Sequence, residues 1–474
     1  MRSVVRIVRA KSPELRANLV VTIVVAYFGT RGFGWLAGLV CGGGGVAAIA
    51  WSLVRGYGDT DRSRAHSSRG AGEHGGMFGT LVHRSSVVLC ACAELSYLSA
   101  CAGPSDATVV RRTDSAGVEI VLSSATDRTL DWRFHRLFAL GGSDDGPESF
   151  YRLSAGLIGA DRRGNLFVLD PPNARIVVFD PDGQFVRSMG GSGGGPGEFR
   201  APGSISVAGD GSVAVFDYGK GSLVRFDTNG EVLDEQPFPL FPTPWQQRHF
   251  SQSHDTTLVS TSTAPWEPGN LIQRLRRIVD ADTSTLAELL LPPVEPLTFR
   301  ECPGVSLPQL PIFAPELAWT AQHGIVAFGS SLEYSVSIAE AGTLSRIVRR
   351  QIDPAPASRD LAMSQVGEGF TLTVRESSCH ADPDDVVDDR GYGKTIPLIG
   401  AMLLGPSGEL WIRRFTLESG PTAPLDVFDT RGEYVGTLGQ APLSPVILLP
   451  GGRAGAVDTD EVGVQRLVVF SIQQ

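Results

Sequence analysis

The sequence predicts an all-β ring of repeated four-stranded sheets. Three observations carry that expectation: a unit recurring at fixed spacing, turn residues at each break within it, and β-prone apolar runs between the turns. Asp161-Arg-Arg-Gly164-Asn-Leu-Phe-Val-Leu-Asp170 is followed by Val178-Phe179-Asp180-Pro-Asp-Gly183. Gly209-Asp-Gly211-Ser-Val-Ala-Val-Phe-Asp217 is followed by Arg225-Phe226-Asp227-Thr-Asn-Gly230. Four anchors move by one constant, since Gly164 to Gly211, Asp170 to Asp217, Phe179 to Phe226 and Gly183 to Gly230 are each 47 residues. The pattern returns at Gly405–Ile412 with Val427–Gly432, and a degenerate copy, Gly451–Asp458 with Leu467–Phe470, closes the sequence. Asp and Asn stabilise turns through side-chain acceptors, and Gly supplies positive φ. One sheet of this size cannot bury both its faces. Repetition around an axis solves that problem and leaves only short, protected edges, which is the β-propeller arrangement.

The 474 residues divide unevenly in charge. Net charge is −10, but residues 1–101 hold 11 basic and five acidic groups, leaving the remaining 373 residues at −16. An acidic body argues against a general nucleic-acid binder. The basic, apolar start reads as a membrane-directed leader. Within 1–76, the uncharged stretch Gly32–Val54 is long enough to span a bilayer, although Gly42–Gly45 are poor helix formers. Residues 77–101 have the anatomy of a secretory signal: a basic start after Met77, an apolar run, and Leu98-Ser99-Ala100-Cys101 at the end. That ending resembles the lipobox of bacterial lipoproteins, whose cysteine is acylated and becomes the mature N-terminus. Glu94 departs from the pattern. Two expectations follow. Either translation starts at Met77 and Cys101 carries a lipid at the periplasmic or outer-membrane face, or Met1 is used and 32–54 anchors the chain in the inner membrane.

Residues 102–474 form the expected propeller. Units at 153–199, 200–240, 248–293, 310–354, 395–443 and 444–474 make six blades, with insertions near 236–247, 294–309 and 355–394. Those insertions are rich in proline or acidic residues and are expected as surface loops. The last unit lacks a full set of strands, so Val118–Ser123 or Trp132–Leu140 should complete it and lock the ring. The phrase Gly193-Gly-Gly-Pro196-Gly-Glu-Phe199-Arg-Ala-Pro202, followed by Ser206–Gly211, resembles an NHL-type repeat boundary. The body as a whole is similar to bacterial six-bladed propellers with such repeats. The resemblance is strong at 153–240 and 395–474 and faint between 241 and 394. It implies a scaffold for interactions; related propellers also include calcium-dependent lactonases and peptide-amide lyases.

Candidate site residues follow from alternation. Successive antiparallel strands place the connections between second and third strands on one face, together with the loops between blades. Asp170, Asp217 and Asp458 occupy corresponding positions there, with Arg200 and Arg413 as neighbours. Converging aspartates could hold a divalent cation such as calcium; alternatively, each caps its own loop. Asp180-Pro-Asp-Gly183 lacks the later ligands of a calcium hand and reads as a turn. The run Asp382–Asp389 is expected as a solvated acidic loop. The histidines His135, His249, His254, His323 and His380 show no zinc spacing, and no local catalytic motif is present. If Cys101 is lipidated and Cys41, Cys90 and Cys92 belong to the leader, Cys302 and Cys379 remain as a pair that an exporting compartment permits to bridge. The leading expectation is an exported, lipid-anchored module that binds a protein, peptide or carbohydrate. The alternative is a metal-dependent lactonase- or lyase-like enzyme with its site at the channel mouth. Oligomeric state is not legible in the sequence.

Overall fold

The computed structural model describes residues 110–474, apart from 143–145, 147–148, 151, 238–244, 252–255, 263–269, 280–281, 375–376, 418–422, 440 and 442–443, together with three strands near the N-terminus. Those strands, Val4–Arg9, Val20–Ala26 and Leu36–Gly42, pair in that order as an antiparallel sheet. The last falls within Gly32–Val54, so the described part of the expected membrane span is a strand and not a helix. The rest of that stretch, and the whole of 77–101 with Cys101, lie outside the described residues. Among the described residues no helix is long and apolar enough to cross a membrane.

Six four-stranded antiparallel blades make up the body. Blade 1 comprises Ile158–Ala160, Leu166–Asp170, Arg175–Phe179 and Phe185–Gly190; blade 2 comprises Pro202–Val207, Val213–Asp217, Ser222–Phe226 and Val232–Pro237. Blade 3 comprises Trp245–Ser251, Thr256–Ser262, Ile272–Val279 and Asp282–Leu290. Blade 4 contains Leu317–Gln322, Ile325–Ser330, Ser335–Glu340 and Thr343–Arg350; blade 5 contains Ile399–Leu404, Leu410–Arg414, Leu425–Phe428 and Tyr434–Leu438. Blade 6 takes Pro445–Leu449, Arg453–Thr459 and Gln465–Gln473 from the C-terminus and Arg133–Leu140 as its outer strand. First strands of successive blades meet around the axis, which places them innermost.

One device shapes five of the hairpins. Asp161 Oδ1 accepts the amides of Arg163 and Asn165 at 2.9 Å each, and Asp180 Oδ1 those of Asp182 and Gln184 at 3.0 and 2.8 Å. Asp227, Asp429 and Asp460 repeat the geometry on residues two and four further on. The glycine closing such a turn, Gly183, sits at φ 83°, where a side chain would be strained. Between blades, apolar side chains interlock: Phe167, Ile176 and Phe199 from blade 1 and its exit pack on Val215, Val224 and Phe226 of blade 2.

Two segments competed for the closing strand, and they divide the task. Arg133–Leu140 completes blade 6. Val118–Ser123 instead lies parallel to Thr343–Arg350 and, with Arg111–Ser115 beyond it, extends blade 4 to six strands. Between them the chain crosses the edge of blade 5, where Leu130 N donates to Thr437 O at 2.9 Å and Thr437 N to Arg128 O at 2.7 Å. Residues 111–140 are thus a strap over three consecutive blades.

Two of the three insertions are not simple loops. Hairpins Glu295–Thr298/Ser306–Gln309 and Phe370–Val374/Ser377–Ala381 join helices α1 (Arg359–Val366) and α2 (Pro383–Arg390) in one lobe. Its core holds Leu297, Phe299, Leu307, Leu372 and Val386, and a disulfide links Cys302 to Cys379. The acidic run expected as a solvated loop is α2. Its Val386 and Val387 are buried, while Asp384 and Asp388 pair with Arg359 and Asp389 accepts from Thr298 at 2.8 Å. The two central valines give that run an apolar side, which is enough to seat it. Of the third insertion, residues 236 and 237 end blade 2 and Trp245 opens blade 3; 238–244 lie outside the described residues.

Candidate functional site

Ring order places blade 1 opposite blade 4. At the end of the channel that carries the first-to-second strand turns, these two blades meet across the axis. His323, at φ 50° in the blade 4 turn, directs Nε2 to the Ala160 carbonyl of blade 1 at 3.4 Å, and Arg162 Nη2 donates to His323 O at 3.4 Å. Arg162 N also bonds Gly209 O of blade 2 at 3.1 Å. Nδ1 of His323 is buried without a hydrogen-bond partner among the described residues. Burial pushes the imidazole pKa below its ordinary value, and Arg162 adds to the shift; the Ala160 and Pro406 carbonyls and Asp161 oppose it without reversing it. These side chains obstruct one end of the channel. The opposite end, bearing the inter-blade loops and second-to-third strand turns, is the face on which the lobe stands, because both lobe segments connect consecutive blades.

The aspartates proposed for that face are committed locally. Asp217, fully buried, receives four amides: Arg200 N at 2.7 Å, Ala201 N at 2.9 Å, Gly219 N at 2.8 Å and Lys220 N at 3.1 Å. It staples its own turn to the loop arriving from blade 1, so Arg200 and Asp217 are brought together through backbone rather than through side chains. Lys220, beside them, reaches Glu235 at 2.5 Å and the carbonyls of Gly195 and Glu198. Asp170 accepts from Asn173 at 2.8 Å and Arg175 at 3.0 Å. Asp458 is half-buried on the second strand of blade 6, with no side-chain hydrogen bond or ion pair among the described residues. The three carboxylates do not converge. Among the described residues no group of three or more His, Cys, Asp or Glu side chains is placed to hold a metal ion.

Blade 5 separates two arginines that are adjacent in sequence. Arg414 points toward blade 4 and the strap. It donates to Asp127 at 2.9 and 2.5 Å and to Asp426 at 2.9 Å through both Nε and Nη2. Arg350, with no side-chain exposure, bonds Asp426 at 3.0 Å, Asp127 at 2.9 Å and three strap carbonyls, and its guanidinium lies 3.8 Å from the Tyr434 ring centroid. Tyr334 donates to the same Asp426; burial, reinforced by that carboxylate, raises its pKa. Hydrogen bonds from Arg414 hold Asp127 below the usual carboxylate range. Arg413 points the other way, into a shallow cleft between blades 5 and 6 with room for little more than a water molecule. Ala401, Leu403, Ala423, Leu425 and Pro445 form its walls. Burial lowers the Arg413 pKa.

A family model described as a six-bladed β-propeller matches residues 158–259, which span blades 1 and 2 and the first strands of blade 3. The chain is a six-bladed β-propeller. No curated protein matches it. Among solved structures it is similar to a Bacteroides fragilis protein described as exported, at 13% identity and TM-score 0.41, covering 75% of this chain and 100% of that one. It is also similar to a Bacteroides vulgatus protein from a family of unknown function, at 9% identity and TM-score 0.42, covering 72% and 99%. A gluconolactonase from Xanthomonas campestris matches at 12% identity and TM-score 0.32, covering 77% and 100%.

Strand alternation puts Arg413 on the lobe-bearing face, whereas His323, Arg350, Arg414 and Asp426 are not legible in the sequence as a cluster. No local motif marks those four. The only cue for His323 is the His323-Gly324 pair at a strand break, a turn signature that does not tell what the turn meets.

Proposed function

We propose that the protein is an exported propeller that binds a protein, peptide or carbohydrate at the channel end carrying the lobe. The observation that carries this reading is the asymmetry of the ring: His323 of blade 4 and Arg162 of blade 1 meet across one end, while a disulfide-stapled lobe rises from two inter-blade insertions on the other face. Both carboxylate oxygens of Asp217 and Oδ2 of Asp170 are committed to local donors, which favours binding over metal-assisted hydrolysis. Export is supported by the Cys302–Cys379 bridge, since such bonds persist in oxidising compartments, and by the signal-like stretch ending at Cys101. On this reading Cys101 is acylated, the chain is held at the cell envelope, and the blades belong to the NHL-like class suggested by Gly193–Pro202.

Peptide and glycan arrays probed with the purified chain test the binding function. The expected result is a defined ligand whose binding is unchanged by chelator and weakened by substitutions on the lobe-bearing face. Calcium-dependent lactone hydrolysis, abolished by chelator, would overturn it. Mass analysis of the mature N-terminus tests the anchor: a diacylglyceryl cysteine at Cys101 is expected, and an unmodified peptide running through Cys101 excludes it.

A further inference from the structure

We propose that the outer wall formed by blades 6, 1 and 2 is a docking surface for an extended segment of a partner polypeptide, which crosses the blade edges there as the strap crosses blade 5. The wall lies on the circumference, away from both channel ends, so the inference stands apart from what the lobe-bearing face binds.

The outer strand of every blade bulges at the same place. The residue left out of register is Leu137 in blade 6, Val186 in blade 1, Leu233 in blade 2, Leu286 in blade 3, Ser345 in blade 4 and Val435 in blade 5. Five of these six are apolar. A bulge interrupts strand pairing and re-aims the side chain it carries. The strap shows what such a position does. In blade 5, Val435 packs in one cluster with Leu130 and Trp132 of the strap. Leu130 fills the space that a Cβ on Gly436 would take, and two backbone bonds to Thr437 hold the crossing. In blade 4 the strap pairs as a full strand instead, and there the bulged residue is the polar Ser345. Leu286 of blade 3 packs into the cluster between blades 3 and 4. On blades 6, 1 and 2 the equivalent residues are uncovered: Leu137 and Val186 are 49% exposed and Leu233 46%, with Phe185 and Val232 exposed beside the last two.

These edges adjoin. A Cβ on Gly183 of blade 1 would meet the Phe138 ring of blade 6, and Arg187 of blade 1 donates to Thr228 O of blade 2 at 2.9 Å. The uncovered row thus continues the track of the strap, which ends on blade 6. Edges on a ring present a convex wall. A rigid globular partner meets one or two of them, whereas a chain that bends at each blade meets all three. Val121 and Leu130 of the strap, nine residues apart, sit on successive blades, which sets the spacing of apolar residues in the partner segment. Its charges follow from the wall. Arg133 and Arg136 are exposed on blade 6 without an ion pair among the described residues, and Glu231 is exposed on blade 2. The fitting segment is acidic where it crosses blade 6, apolar at blade 1 and basic at blade 2.

The probe is a synthetic peptide with the strap's sequence 118–134, which has this spacing, with Glu119 near its start and Arg133 near its end. Fluorescence anisotropy of the labelled peptide with the full chain, whose own strap stays in place, measures binding. Saturable binding is expected, with slowed hydrogen exchange across Phe185–Gly190 and Val232–Pro237. Val186→Glu or Leu233→Glu should weaken it about tenfold or more, and a scrambled peptide should not bind. Circular dichroism melts confirm that each variant folds; should a glutamate variant unfold, Val186→Ser or Leu233→Ser takes its place. Ligands found for the lobe-bearing face should be unaffected by Val186→Glu, which keeps the two readings separable. Absence of saturable binding, or binding unmoved by these substitutions, overturns the proposal. So does self-association of the chain in sedimentation velocity that the same substitutions abolish, since the wall would then be an interface between two copies.

Discussion

A single carboxylate, that of Asp217, organises four backbone amides at the junction of two blades. Asp217→Ala strips all four donors of their acceptor inside a buried loop and should cost on the order of 3 kcal/mol, read from urea denaturation; Asp217→Asn keeps one acceptor oxygen and should cost less. His323 supplies a pH signature. Because its folded-state pKa lies below the ordinary 6.5, the unfolded chain takes up a proton that the folded chain refuses as pH falls through that value. Stability is therefore complete above about pH 6.5 and declines below it, levelling off once the folded imidazole also titrates. His323→Gln should flatten this part of the curve of melting temperature against pH; an unchanged slope would exclude the histidine as its source. These roles were unequally legible. Asp217 could be located from its 47-residue offset to Asp170, but not its four partners, because they depend on the path of the preceding loop. His323 acts through a residue on the opposite side of the ring, and no spacing within one blade encodes that.

At the level of elements, the strap and the lobe hold the parts that repetition alone does not. Arg350, Arg414, Asp127 and Asp426 form a compensated square joining blade 4, blade 5 and the strap. Removing one member leaves buried charge unmatched, so Asp426→Ala should destabilise by about 3–5 kcal/mol. The Arg350→Met change made in the Asp426→Ala background should cost far less than Arg350→Met alone, and additive effects in that double-mutant cycle would show that the pair is uncoupled. In the lobe, the bridge closes a separation of 77 residues. Chain-entropy arguments give it roughly 4 kcal/mol. Reduction should accelerate hydrogen exchange across 295–309 and 359–390 while blades 1 and 2 keep their protection. Turn-and-strand units were readable because each blade repeats the same local instructions. The lobe was not, since its two halves lie about 50 residues apart and neither buries a face without the other. The run Pro383–Arg390 shows the difficulty: counted by charge it is a loop, and only the docking of Val386 and Val387 makes it a helix.

For the molecule as a whole, the repeat count and the closure were legible, while the division of labour in the strap was not. Either apolar stretch could have completed blade 6 by pattern, and the choice was made by what else each could reach: Val118–Ser123 finds a free edge on blade 4, and Arg133–Leu140 then falls beside the C-terminal strand. A chain beginning at residue 142 would lack both. It should fail to give a cooperative thermal transition, and adding residues 131–141 as a synthetic peptide should restore one; a cooperative melt without the peptide would show that closure is dispensable.

That closing strand also sets the order of events at birth. Leu140 pairs with Leu467, so one of the first body segments to be synthesised finds its partner only when nearly the whole chain is finished. Such a separation makes ring completion slow and leaves an unpaired edge exposed while it waits. A chain that crosses a membrane unfolded and closes afterwards avoids holding that edge open on the ribosome. In the same interval the last blade has only three strands, and its open third strand is the place where a holding chaperone, or a second unfinished copy, would attach.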